Sequence, residues 1–289
     1  VQNTMIGKEE WLSQDRLPEI TKKKKIVVIG GGPGGMEAAI TAARRGHQVV
    51  LLEKTSQLGG KIPLAASLPY RAELADSIRN LTTRLALTEV EVRYQTEADA
   101  AQVLAEQPDA VIVATGALLQ PHYLQGENQN VYDVEDWLRL QTPLGQRVTV
   151  IDYIGFFQAA ATVELLADMG KQVWMVTGAL QAGQGLGKTT DLELWTKRVR
   201  KKGVTLVTNT SVMSIQGNEV QGSNNYTGAT SLWQVDHVLI ANAPAANDGI
   251  YRALKEAKPD LPLFLVGDAC APRRLENAIH EGFLAGCTV

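Results

Sequence analysis

The chain has 289 residues, 45% of them apolar, and a formal net charge of −3, which allows one large or two ordinary domains with proper cores and gives nucleic acid no electrostatic footing as a partner. Its two cysteines, Cys270 and Cys287, stand seventeen residues apart, which removes dithiol chemistry and zinc spacing and leaves them as packing or surface residues. No apolar run approaches membrane length and no signal peptide opens the chain, so we expect a reducing, cytoplasmic setting with neither membrane nor metal.

Residues 1–21 carry Gly7, Pro18 and several charges without a steady period, and read as an arm crossing a surface. The chain opens at Val1 and not at Met, from which we expect processing or excision from a longer protein. Lys22-Lys23-Lys24-Lys25 is the one basic cluster, read as a solvated lead-in to the first strand.

Ile26-Val27-Val28-Ile29 is a buried-type strand that runs into Gly30-Gly31-Gly32-Pro33-Gly34-Gly35 and then an Ala-rich helix over roughly 34–45. Gly30, Gly32 and Gly35 fill the three places of G-x-G-x-x-G: the tight turn, the close approach of a pyrophosphate, and helix-on-strand packing. The helix N-terminus offers unpaired N–H groups to phosphate. Eighteen residues past Gly35, the strand Gln48–Leu52 ends in Glu53, placed to accept from a ribose 2′-hydroxyl, with Lys54 beside it. Ala38, Ala39, Ala42 and Ala43 form a small-residue face for close packing on the sheet.

Gln57-Leu58-Gly59-Gly60-Lys61 follows, then a helical stretch to Leu87, a strand over 89–94, and the strand Asp109–Val113, which ends in Ala114-Thr115-Gly116. A second alternating unit starts at Arg147–Asp152, continues through Gly155 and a helix to about Met169, and adds strands over 171–177, 204–208 and 236–241 and a helix over 191–202. The expected architecture is α/β: two Rossmann-like, doubly wound nucleotide domains, the second (145–245) inserted into the first (22–144 and 246–289), with residues 118–142 holding one crossing.

The second turn departs from the pattern. Asp152 stands where the first glycine belongs, an anion that would repel pyrophosphate, and only Gly155 remains as the packing glycine. The next strand ends in Thr177-Gly178-Ala179, with neither the acid that selects a ribose hydroxyl nor an arginine for a 2′-phosphate. Nicotinamide binding here and a structural remnant of the same fold both remain open. Gly183-Gln184-Gly185-Leu186-Gly187-Lys188-Thr189 mimics a phosphate loop, but Ala182 replaces its first glycine and no apolar strand immediately precedes it. We read it as a flexible loop near a ligand, with Lys188 a mobile cation.

Near the end, Leu263–Val266 delivers Gly267-Asp268, and Ala278-Ile279-His280-Glu281-Gly282 follows in a helix. Asp268 alone is either turn chemistry or a carboxylate aimed at a ligand hydroxyl.

Taken together, Gly30–Gly35, Glu53, Leu58-Gly59-Gly60, Ala114-Thr115-Gly116, Gly267-Asp268 and Ala278–Gly282 resemble a flavoprotein with two dinucleotide-binding domains. More narrowly, the whole chain resembles the C-terminal portion of multidomain old yellow enzyme-like flavoproteins of the 2,4-dienoyl-CoA reductase and trimethylamine dehydrogenase type. The resemblance implies FAD in the first domain: Gly30, Gly32, Pro33, Gly34 and Gly35 on the pyrophosphate, Glu53 and Lys54 by the adenosine ribose, Gly59, Gly60 and Lys61 near the second phosphate or ribityl chain. It further implies Ala114, Thr115 and Gly116 at the cofactor edge, Gly267 and Asp268 on the ribityl chain, and Ala278 and Ile279 near the isoalloxazine.

In the reductase manner, NAD(P)H would dock on the second domain and reduce FAD, which passes electrons to a [4Fe–4S] cluster and an FMN-bearing barrel. Neither the barrel nor the cluster cysteines are in this sequence, so the resemblance implies an FMN/iron–sulfur partner domain or subunit. No catalytic side chain is required for the cofactor-to-cofactor step. In the amine dehydrogenase manner the first domain holds only ADP and the second binds no nicotinamide. A docking module that pairs with a barrel-bearing partner is the alternative from another class, and an oligomer is compatible with all of these.

Overall fold

The computed structural model describes residues 3–10, 20–124 and 128–289. Residues 1–2 and 11–19 of the expected arm, and 125–127 of the expected crossing, lie outside the described residues.

The first half runs β1 (Lys25–Ile29), α1 (Pro33–Arg44), β2 (Gln48–Leu52), α2 (Ile62–Ala66), α3 (Leu74–Ala86), β3 (Glu91–Arg93), α4 (Ala100–Ala105), β4 (Ala110–Val113), β5 (Ala117–Leu118), β6 (Val131–Asp133) and α5 (Val134–Leu140). The second half runs β7 (Arg147–Asp152), α6 (Phe157–Asp168), β8 (Gln172–Thr177), a 3₁₀ turn (Gln184–Thr189), α7 (Leu192–Lys201), β9 (Thr205–Val207) and β10 (Thr210–Gln216). It closes with β11 (Glu219–Asn224), β12 (Thr230–Gln234), β13 (His237–Ala241), β14 (Ala245–Ala246), α8 (Gly249–Ala257), β15 (Leu263–Leu265) and α9 (Leu275–Thr288). These elements form two compact units: Val1–Pro63, Glu73–Leu118 and Pro244–Val289 in one, Leu64–Ala72 and Leu119–Ala243 in the other.

The first unit is a parallel sheet in the order β15-β4-β1-β2-β3. Its central strands β1, β2 and β4 are buried on both faces, which is why β1 reads as an unbroken apolar run. Ile26 and Val28 pack with Met36 and Ile40 of α1, Leu81 and Leu85 of α3 and Ile279 of α9. Val27 and Ile29 point the other way, to Val103 of α4 and Leu254 of α8. Helices therefore cover both faces. The small-residue face of α1 also receives α9: a Cβ on Gly286 would stand 2.6 Å from the Cβ of Thr41 and 2.8 Å from the carbonyl oxygen of Ala38.

The second unit is a parallel sheet in the order β6-β13-β7-β8-β9. Val148 and Val150 face Trp137, Leu166, Trp195 and Val199 of α5, α6 and α7. On the other face, Ile151 and Val176 meet Val212, Ile215 and Val220 of an antiparallel sheet, β10-β11-β12. One covering layer is thus β where a fully doubly wound unit has helices. Glu164 of α6, 1% exposed at its side chain, is held bidentately by Arg198 of α7 at 2.8 and 3.0 Å and by Lys202 at 2.9 Å, and those charge-assisted bonds offset the cost of burying it.

The segment over 118–142, read from the sequence as a crossing, contributes β6 and α5 to the second unit. The antiparallel pairing of β5 with β14, Leu118 opposite Ala245 and Ala117 opposite Ala246, joins the outgoing and returning passages of the chain. Leu64–Ala72 likewise belongs with the second unit: Leu68 is buried in its core, and the Arg198 guanidinium lies 4.1 Å over the Tyr70 ring. No helix among the described residues is long and apolar enough to cross a membrane.

Candidate functional site

The C-terminal edge of the first unit's sheet gathers most of the residues singled out in the sequence. The turn after β1 is pinned on both sides: Gly30 N–H donates to the Leu52 carbonyl of β2 and Ala114 N–H to the Ile29 carbonyl, both at 2.8 Å. Gly30 has φ +103°, and a Cβ there would overlap the carbonyl oxygen of Ala114, so only glycine can make this turn. A Cβ on Gly35 would overlap the carbonyl oxygen of Gly30, the contact by which helix and strand close up.

Gly32 behaves differently. It is the N-cap of α1 in ordinary extended geometry, and a Cβ on it would meet nothing within 4 Å. Neither Gly32 nor any other side chain caps the helix, and Pro33 at its first position brings no N–H. The first-turn amides of Gly34 and Gly35 lack intrahelical acceptors and carry the positive end of the helix dipole.

Glu53 is 6% exposed and takes three hydrogen bonds: from Gly31 N–H on Oε2 at 2.7 Å, and from the N–H and Oγ1 of Thr55 on Oε1, each at 2.7 Å. The carboxylate ties the tip of β2 to the glycine turn, and Oε2, with a single donor, keeps lone-pair capacity for a further one such as a ribose hydroxyl. Lys54 beside it is exposed. Gly59 N–H donates to the Gly31 carbonyl at 2.9 Å, which brings the next loop over the turn. There Gly60 faces Gly32 so closely that its Cβ would stand 3.3 Å from the Gly32 Cα, and Lys61 follows half-buried.

At the tip of β4, Thr115 Oγ1 donates to the Asn247 carbonyl, and Asn247 N–H returns a bond to the Gly116 carbonyl at 3.0 Å. Past β15, Gly267 N–H donates to Oε2 of Glu281 at 2.8 Å, while the Arg273 guanidinium pairs with the other oxygen of that carboxylate. Asp268 is half-buried and accepts from Arg273 N–H at 3.0 Å through Oδ1. The first and last motifs meet at Ala278: its carbonyl oxygen would lie 3.0 Å from a Cβ on Gly34, and its Cβ 3.2 Å from one on Gly267. Ile279 is fully buried in the core beneath α9. Asn247 and Arg273, which help organise this edge, were absent from the sequence-derived set, and Glu281 stood in it only as a member of the Ala278–Gly282 motif.

The second unit's turn is built otherwise. Asp152, 2% exposed at the end of β7, accepts through Oδ1 from Ile154 N–H at 3.0 Å and Gly155 N–H at 2.7 Å. Its Oδ2 has no hydrogen-bond partner, and burial pushes the carboxyl above the ordinary range, against the two amides that lower it. Two turn amides are thereby taken by the chain's own acid, while α6, with Phe156 as its N-cap, has no side-chain cap. The sequence 183–189 is no phosphate loop: it forms the 3₁₀ turn, with Leu186 fully buried, Lys188 exposed, and Gly185 N–H donating to the Gly155 carbonyl at 2.8 Å. Beyond β8, the Gly178 carbonyl accepts from the Asn225 side chain at 3.3 Å and the Ala179 carbonyl from Asn209 N–H at 2.9 Å. Turn and strand end are therefore engaged internally, which opposes the seating of a dinucleotide. The first unit's open Gly32 position and uncapped α1 do fit one. Among the described residues, no group of three or more His, Cys, Asp or Glu could hold a metal ion.

Residues 24–257 match the family model described as pyridine nucleotide-disulphide oxidoreductase. Among curated proteins, the chain is 37% identical over 253 residues to bilirubin reductase of Mediterraneibacter gnavus, covering 86% of this chain and 38% of that protein. It is 31% identical over 287 residues to N,N-dimethylglycine/sarcosine dehydrogenase of Chromohalobacter salexigens, covering 85% of this chain and 41% of that protein. Among solved structures, a 2-naphthoyl-CoA reductase complex superposes with a TM-score of 0.89 at 28% identity, covering 99% of this chain and 43% of that one. The chain thus spans about two-fifths of the length of these relatives.

Proposed function

The chain belongs to the pyridine nucleotide-disulphide oxidoreductase family, and on that basis we propose that it is the FAD-binding, electron-relay module of a larger flavoenzyme. The observation that carries this is the meeting, at one sheet edge, of an uncapped helix, the open position at Gly32, the loop at Gly59 and Gly60, and Asp268. The α1 amides and Gly32 would hold the pyrophosphate, Glu53 a ribose hydroxyl, and Asp268, through its second oxygen, a hydroxyl of the ribityl chain. Gly267 and Ala278 would bound the flavin end, with Ala114, Thr115 and Gly116 along its edge. FAD, when bound, supplies the redox chemistry; the chain holds and orients it, and no acid or base of the chain takes part.

The extra length of the relatives supports a partner domain or subunit, which the sequence resemblance describes as an FMN- and [4Fe–4S]-bearing barrel. In the reductase form of this reading, NAD(P)H is the electron donor; in the amine dehydrogenase form, no nicotinamide is used. A second reading, ADP in the first unit and no nicotinamide on the second, is supported by Asp152, which occupies the second turn, and by the strand end at Thr177, which offers no acid or arginine.

The test is the absorption spectrum of the purified protein and the identity of what it releases on denaturation. A yellow protein releasing FAD supports the first reading, and a colourless one releasing ADP supports the second. A protein that retains neither, and takes up neither on incubation, overturns both.

A further inference from the structure

We propose that the second unit is closed to nicotinamide dinucleotides by an internal anion, the Asp152 carboxylate. This rests on the family reading above, since only a member of a dinucleotide-binding family has such a site to close. A dinucleotide seated on a Rossmann-type unit needs turn amides for its pyrophosphate, an unobstructed approach to the helix behind the turn, and a group at the second strand's tip for its ribose. Each is obstructed here for a separate reason, although the first turn of α6 itself has no side-chain cap. Asp152 Oδ1 holds the amides of Ile154 and Gly155. Gly185 lies on the turn so tightly that a Cβ on it would stand 2.7 Å from the Gly155 carbonyl oxygen and 3.0 Å from the Phe156 ring. The Arg71 guanidinium covers the ring of Phe157, the first residue of α6, at 3.0 Å from its centroid. At the tip of β8, Thr177 Oγ1 accepts from Ala179 N–H at 3.3 Å, and the next two carbonyls are tied to Asn225 and Asn209.

An incoming pyrophosphate would have to displace a buried carboxylate from two amides and then sit against it, two like charges in a site of low dielectric. Protonating Asp152 on Oδ2 would remove the like-charge repulsion while leaving both amides on Oδ1.

The experiment titrates NADH, NADPH and ADP-ribose into the whole chain by calorimetry, with the first unit saturated beforehand by FAD or ADP so that added ligand reports on the second. The expected result is no saturable binding tighter than about 1 mM for any of the three. The same titration of Asp152→Gly, which frees two amides, is expected to show ADP-ribose gaining at least about tenfold in affinity. Saturable binding of NADH or NADPH to the unaltered chain would overturn the proposal. Equal ADP-ribose affinity in the two proteins would overturn the role given to Asp152. Failure of the flavin reading registers separately, as a chain that takes up neither FAD nor ADP.

Discussion

Gly282 of α9 lies directly against the backbone of Gly34 at the start of α1, where a Cβ would overlap the Gly34 carbonyl oxygen and stand 2.9 Å from its carbon. The last helix is thereby seated on the helix whose first turn faces the proposed pyrophosphate. Gly282→Ala has no flexible side chain to displace, only backbone, and overpacking of this kind costs about 1–3 kcal/mol. We expect that loss in urea unfolding of the whole chain, together with lower flavin content as purified, because Ala278 and Gly267 move with α9.

Glu53 offers a different test. Replacing it with Gln turns one acceptor oxygen into an NH₂ group that must face either Gly31 N–H or the Thr55 donors, all of them now bonded to the carboxylate. Turned so that its oxygen keeps Gly31 N–H, the amide sets its NH₂ against Thr55, an exposed residue whose hydroxyl can accept, and the cost falls to about 1 kcal/mol. Glu53→Gln is expected to unfold at lower urea and to bind nucleotide more weakly. Unchanged stability would show that the bonds to Gly31 and Thr55 contribute nothing net.

How far this edge was readable in advance depended on the range over which each feature is encoded. The β1 turn is written in consecutive residues: an apolar strand, three spaced glycines and an alanine-rich helix. Glu53 could be found because its distance from the turn is fixed by one helix and one strand. Asn247 could not, since it meets Thr115 from 132 residues away and nothing local marks it, and Glu281 was visible only as a member of the Ala278–Gly282 motif, without its bond to Gly267 14 residues back.

The β10-β11-β12 sheet was missed for a related reason. Only one of its faces is buried, through Val212, Ile215 and Val220, and the intervening Thr, Ser, Gln and Asn residues dilute the alternation. β6 has three residues and ends in Asp133, too short for any period to register. Asp152 was legible as a break in the pattern, while its occupation of the turn amides was visible only in three dimensions.

Asp133 makes stability depend on pH. Burial pushes its carboxyl up from an ordinary 3.8 to about 6, despite the Glu135 amide it accepts from at 2.7 Å as N-cap of α5. Its folded pKa lies above its unfolded one, so between about pH 4 and 6 the native state binds more protons than the unfolded chain and stability falls as pH rises. Above that window the full penalty of the buried charge is present. Asn at this position keeps the capping oxygen and carries no charge. Asp133→Asn is expected to be more stable than the unaltered chain at pH 7 by about 1 kcal/mol, after allowance for the lost charge at the helix N-terminus. The difference should shrink toward pH 4. Denaturant titrations at the two pH values check both the sign and the window.

The glycines of the first turn separate folding from binding. Gly30→Ala requires an alanine at φ +103° with its Cβ inside the Ala114 carbonyl, so it should unfold the first unit or leave it several kcal/mol weaker. Gly32 has φ −72° and ψ 178°, a conformation any residue adopts, with open space where its side chain would go. Gly32→Val adds three carbons beside the turn at an N-cap where valine is less favoured than glycine by about 1 kcal/mol, so its melting temperature without ligand should fall by no more than about 4 °C. Those carbons fill the volume in which the pyrophosphate would approach the backbone. We expect a folded, colourless protein that takes up no FAD on incubation, read by absorbance after desalting. A Gly32→Val protein that keeps its flavin would show that the nucleotide is held elsewhere, and a Gly32→Val protein that fails to fold would show that the space beside Gly32 belongs to the core and not to a ligand.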